Sequence, residues 1–110
     1  MQKFSLDALA RELLGRAAGA AGGRAAQTVM GGHEKVLRQT VISMTKDTAL
    51  TEHANPGEAS VYVLHGRVKL ASGDQTWEGR DGDLLIVPDA PHSLQALADS
   101  AVLLTVAKLP

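Results

Sequence analysis

Cysteine is missing from the 110-residue chain, and with it go disulfide frameworks, thiolate zinc sites and cysteine nucleophiles. Aromatics are almost as scarce, one Phe, one Trp and one Tyr, too few to build a platform on which nucleic-acid bases stack. An excess of one charge is lacking as well: eleven Lys plus Arg stand against twelve Asp plus Glu, a formal net charge of −1. Without a basic field nothing holds a phosphate backbone by counterion release, so nucleic acid is not an expected partner. No apolar run approaches the roughly 20 residues that cross a bilayer. The opening MQKFSLDALARELLGR is interrupted by Asp7, Arg11 and Glu12 where a secretory signal needs an unbroken apolar stretch. A cytoplasmic protein with no membrane partner is therefore expected.

What is present suits a packed globular chain: 45% apolar residues with 21% charged. A length of 110 residues leaves room for one core and not two. Near the start, Leu6, Leu9, Ala10, Leu13 and Leu14 recur at helical spacing. Ser5 is placed as N-cap, Asp7 lies in the first turn, and Gly15 is positioned to stop the helix. So short a helix is marginal alone in water and must dock on something, adding modestly to stability. The Gly- and Ala-rich GRAAGAAGG that follows reads as a linker. Residues 1–23 are thus a helix and linker, and 24–110 the main domain.

Beyond residue 23 the pattern changes to short runs rich in Val, Leu, Ile and Thr: RAAQTVM, EKVLRQTVISM, DTALTEHA, EASVYVLHG, RVKLASG, QTWEG, DLLIVP, HSLQAL and AVLLTVAK. Good turn formers such as TKD, SGD, RDGD and PDAP separate them. Eight or nine strands with no crossover helices between them argue an all-β antiparallel sandwich or barrel. The continuous apolar run Leu84–Val87 reads as a strand buried on both faces. Of Tyr62 and Trp77, one is expected in the core or at a subunit contact. Strands this apolar must also hide their open edges, and pairing across a two-fold, a homodimer, is the expected solution.

Residues that carry chemistry gather in TEHANPGEASVYVLHGRVKL, with one more histidine in GDLLIVPDAPHSL. On a strand over 59–65, Ala59, Val61, Val63 and His65 share one face, and Glu58, Ser60, Tyr62 and Leu64 the other. His53 and His92 fall at loop-to-strand junctions, where side chains can project into a barrel mouth.

The run His53-Ala-Asn55-Pro-Gly-Glu58-Ala59-x-x-Tyr62-Val-Leu-His65-Gly66, followed by Gly82-Asp83-x4-Pro88-x-x-x-His92, resembles the two sequence motifs of the cupin superfamily in its small single-domain form. The likeness covers roughly residues 35–107, and its specific part is the order and separation of the two motifs. It implies a jelly-roll β-barrel, frequent dimerisation, and a metal site of two histidines in H-x-H, a glutamate, and one histidine from the second motif. By this resemblance His53 matches the first ligand and His92 the last. Asn55 stands in place of the second histidine and Ala59 in place of the glutamate. The adjacent Glu58 faces the other way unless a bulge shifts the register, while His65 has the parity to point inward. The second motif departs too: Pro88 to His92 is one residue short, and Ala90 replaces a glycine.

Two imidazoles, with Asn55, Glu58 or His65 as further candidate ligands, imply a weakly held divalent transition metal: Zn, Ni, Fe or Cu rather than Mg or Ca. The leading expectation is a small cupin that binds a small molecule in its barrel without turnover, with Asn55 and His65 among the ligand-binding residues. The alternative is a metal-dependent dioxygenase, isomerase or lyase whose site His65 or Glu58 completes. A third reading makes the N-terminal helix the working surface of an interaction module.

Overall fold

A computed structural model describes residues 1–53 and 57–108, with Glu52 and His53 as backbone alone. Each of the nine apolar runs forms a strand. In chain order they are Arg24–Met30 (β1), Leu37–Met44 (β2), Ala49–His53 (β3), Gly57–His65 (β4), Arg67–Ser72 (β5), Gln75–Arg80 (β6), Leu84–Val87 (β7), His92–Ala96 (β8) and Ser100–Lys108 (β9). They build two antiparallel sheets, a five-stranded one in the order β1-β2-β9-β4-β7 and a four-stranded one in the order β3-β8-β5-β6. The result is a jelly roll whose sheets do not close on each other. Both expected turns are present with left-handed φ, 73° at Asp47 and 60° at Gly73, but only Gly73 closes a hairpin, between β5 and β6; Asp47 turns the chain from β2 in one sheet to β3 in the other.

Alternation along the strands explains the core. Ile42, Met44, Val61, Val63 and Val102 of the five-stranded sheet face Val68, Leu70, Leu94 and Ala96 of the other, and the contacts form one apolar cluster. A second cluster lies on the outer face of the five-stranded sheet. There Leu9, Ala10 and Leu13 of an N-terminal helix, α1 (Leu6–Gly19), meet Val41 and Ala101, with Leu64 and Leu103 partly buried around them. Strand β2 is consequently buried on both faces from Val41 to Met44. Ser43, enclosed there, donates its hydroxyl to the Ala10 carbonyl at 2.8 Å, which meets the rule that a buried polar group finds a partner. Among the described residues no helix is long and apolar enough to cross a membrane.

Three expectations need correction. Ser5 does cap α1, accepting from the Ala8 N–H, but Gly15 does not stop it. A side chain at Gly15 would meet nothing, so this position faces solvent and costs about 1 kcal/mol of helix propensity at most. Beyond it Ala17 is fully buried, and Arg16 reaches back to Glu12 at 3.4 Å, so the helix gains by continuing to Gly19. The second correction concerns β7. It is the edge strand of its sheet, and Leu84 and Ile86 are 58% and 71% exposed. A continuous apolar run is not by itself evidence of two covered faces. Third, of the two places expected for Tyr62 or Trp77, the core is the wrong one: both are exposed on the chain, as is Phe4.

The turn between β4 and β5 is pinned from two sides. Gly66 has φ of 98°, and a side chain on it would strike the backbone of Asp99 and Ser100. Its N–H donates to the Asp81 carboxylate at 2.7 Å. That backbone bond, before the weaker pull of the nearby His65, holds the Asp81 carboxyl below its ordinary value of 3.8.

Three outcomes follow. Leu13→Ala should lower stability by about 2–5 kcal/mol in denaturant titrations, because a wholly buried side chain leaves a cavity; a loss within error would place the helix outside the cooperative unit. Gly66→Ala should cost more than about 2 kcal/mol, since both φ and space oppose it, whereas Gly73→Ala, with open space, should cost only about 1 kcal/mol. Folding depresses the Asp81 pKa, so its stabilisation is present above the unfolded value and is lost as pH falls through the folded one. Asp81→Asn should therefore melt below wild type at neutral pH, and the gap between the two Tm values should close on acidification.

Candidate binding site at the end of the barrel

Strand β8 begins at His92, which is 7% exposed. The short PDAP turn before it brings the Ala90 carbonyl to 3.0 Å from His92 Nδ1. A carbonyl only accepts, so the ring donates through Nδ1–H. An imidazole anchored in this way has a fixed tautomer and a fixed tilt, the condition that binding and metal-ligating histidines share.

His92 is part of the wall of a small cavity between the sheets. Ile42, Leu50, Val61, Leu70, Leu94, Val102 and Leu104 supply the rest of the described wall, and the volume is about 30 Å³. That is one water's share of liquid, against the ~300–1,000 Å³ of sites that enclose a drug-sized ligand. A single ion, a water or the tip of a larger molecule fits.

Register brings the two motif histidines to adjacent strands. His53, the last residue of β3, is the partner of His92 across the β3–β8 ladder, at a point where the pairing slips after Leu50. The other candidates do not gather there. Asn55 lies outside the described residues. Glu58 is exposed and pairs with Ala107, on the outward side of β4 that alternation assigns to it. Ala59 faces inward, packed against the core and paired with Val87 and Val106.

His65 lies at the far end of β4 from Gly57, and its side chain is 67% exposed, with Nδ1 3.5 Å from the Asp81 carboxylate. The inward parity expected of it fails because the β4–β9 pairing shifts between Val63 and His65. Such a bulge turns the following side chain to the other face.

Among the described residues no three His, Asp or Glu side chains stand close enough to hold a metal ion. In sequence, Asn55 and Ala59 stand where the two-histidine, glutamate, histidine arrangement has an imidazole and a carboxylate, so the donor set departs from that arrangement at two positions. Sequence reasoning missed the cavity wall and the Ala90 anchor. The wall residues come from six strands and form no local motif, and a backbone carbonyl has no side-chain signature. The PDAP turn was the one available signal for the anchor.

Comparison with known proteins agrees with this architecture. No curated protein sequence matches the chain. Among solved structures, a Thermus thermophilus protein superimposes with a TM-score of 0.78 at 21% identity, covering 100% of both chains. A conserved Streptococcus pyogenes protein of unknown function gives 0.74 at 26% identity, over 83% of this chain and 79% of that one. A cupin superfamily protein from Desulfitobacterium hafniense gives 0.72 at 15% identity, over 78% of each. The family model of the cupin domain matches residues 40–107, which include both motif segments, the β3–β8 histidine pair and each described residue that lines the cavity. The chain belongs to the cupin family.

Proposed function

We propose that this cupin binds without turnover, taking a small molecule, or a loosely held divalent transition metal such as Zn, Ni, Fe or Cu, at the barrel end where His92 stands opposite His53. The observation that carries this reading is the wall of the inner cavity, which among the described residues is lined by seven apolar side chains and the His92 imidazole. A dioxygenase, isomerase or lyase needs a Lewis acid or a pair of groups that pass a proton. Glu58 and His65, which would have completed such a set, are directed away from the cavity. One anchored imidazole and an apolar lining are instead the furnishing of a binding site, where a few polar groups orient a mainly apolar contact. At about 30 Å³ the cavity admits only the tip of a ligand, whose body rests at the rim.

Metal titration of three proteins tests it: wild type, the double variant Asn55→His with Ala59→Glu, and His92→Ala. Wild type should bind Zn or Ni weakly and release it to a mild chelator, and His92→Ala should not bind at all. Restoring the missing imidazole and carboxylate should tighten binding by about two orders of magnitude, because each added protein ligand contributes chelate stabilisation. Equal, tight affinity in wild type and the double variant would mean that the site is already complete, and the metal-dependent enzyme would become the better reading.

A further inference from the structure

Strand β6 carries an indole where alternation calls for core. In an antiparallel ladder, residues directly opposite one another point to the same side of the sheet, and Trp77 is the ladder partner of Leu70, a buried core residue that is also part of the cavity wall. Trp77 therefore belongs to the inner face. Gly79, two residues on, fixes the same side, since a Cβ there would lie 3.1 Å from Leu85 and 3.2 Å from Val63 of the opposite sheet. At Gly79 the two sheets meet. At Trp77 they do not, because the indole residue is 69% exposed whereas Leu70 beside it is 4% exposed. Strands β6 and β7 are the edges of their sheets, so Trp77 stands at the open margin of the barrel interior.

We propose that Trp77 is the platform on which the body of the barrel ligand stacks, and that this ligand is a phenol: an uncharged planar ring bearing a hydroxyl. The inference rests on the barrel-end reading given above and specifies what that end takes. Position is the first argument. Side chains directly opposite in a ladder start about 5 Å apart at Cβ, so a ring lying on Trp77 abuts the cavity wall at Leu70. Size is the second. The cavity of about 30 Å³ has one water's share of volume, which admits a hydroxyl beside His92 and leaves the ring outside.

Charge is the third argument. The inner-face residues of β5, β6 and β8 from the level of Trp77 to this end of the barrel are Leu70, Ser72, Gln75, Trp77, His92 and Leu94, with no carboxylate, lysine or arginine among them. An ionic ligand would lose hydration there without a fixed counter-charge. An indole face also prefers another flat π-system, in offset or edge contact, and a saturated ring cannot supply one. The ligand that satisfies all three conditions is flat, neutral and polar only at its tip.

Titration of the metal-free full chain with phenol tests this, with cyclohexanol as the saturated ring of like size and benzoate as the charged one. Trp77 is the sole tryptophan, so one indole N–H resonance reports on it. Phenol at millimolar concentration should move that resonance saturably, and cyclohexanol and benzoate should bind at least about tenfold more weakly. Read from the backbone amide shifts of Leu70 and Leu94, Trp77→Ala should weaken phenol about tenfold and Trp77→Phe, which keeps a flat ring, no more than about threefold. Both variants should keep the wild-type circular dichroism spectrum and the His92-dependent affinity for Zn. Phenol binding that leaves the indole resonance in place, or that survives Trp77→Ala intact, overturns the platform. Cyclohexanol or benzoate binding as tightly as phenol overturns the ligand class. A wild type that ignores phenol but takes up Zn through His92 overturns this inference alone, whereas one that binds neither overturns the barrel-end reading with it.

Discussion

Burial of β2 on both faces is the constraint around which the molecule is arranged. Four consecutive residues, Val41 to Met44, are enclosed, which an antiparallel sheet achieves only when each face has its own cover. The four-stranded sheet covers Ile42 and Met44, and α1 covers Val41 and Ser43. The helix is too short to persist alone, so its order derives from the sheet as much as the outer cluster derives from the helix. The bond from Ser43 to the Ala10 carbonyl fixes how the two meet, since sliding the helix would leave a buried hydroxyl unsatisfied at a cost of about 1–3 kcal/mol.

How far the fold is legible in sequence follows from what each signal measures. Turn residues report where the chain must reverse, and they locate the nine strands to within a few residues. Hydrophobic runs report only that a segment is apolar. In β7 the run Leu84–Val87 holds two inward residues, Leu85 and Val87, in register with Val61 and Ala59, and two outward ones left at an edge. Parity on β4 holds from Glu58 to Val63 and fails at His65, because the β4–β9 ladder carries one extra residue on the β4 side, which shows only when the two strands are paired. Glycine at position 15 reads as a terminator locally, but burial of Ala17 two residues on outweighs a propensity of about 1 kcal/mol.

The candidate site is legible in a different way. His53 and His92 are 39 positions apart in the chain, and only the order of two motifs suggests that they meet. The β3–β8 register places them as partners. What the motif cannot convey is the lining. Apolar residues from β2, β3, β4, β5, β8 and β9 surround the imidazole, each chosen by packing between two sheets and none distinguishable in sequence from any other core position. Loss of two donors at Asn55 and Ala59 is readable residue by residue. The apolar chamber of about 30 Å³ beside His92 is not, because it depends on how closely the sheets approach.

Strand direction separates the helix from the site. Strand β4 runs from Gly57, a few residues after His53, to His65, and β9 runs the opposite way from Ser100 to Lys108. The helix packs where β4 ends and β9 begins, against Leu64 and Ala101, whereas His92 lies at the other end with His53. The apolar stripe of α1 is already occupied: Leu9, Ala10, Leu13 and Ala17 are buried, and Leu6 is partly so against the same cluster. A partner helix or groove would have to displace it from Val41 and leave the Ser43 hydroxyl without its acceptor. That cost falls on the interaction-module reading and not on a site at the opposite end, where binding requires no loss of core contacts. The fold thus places the helix contacts at one end of the sheet and the His53–His92 pairing at the other.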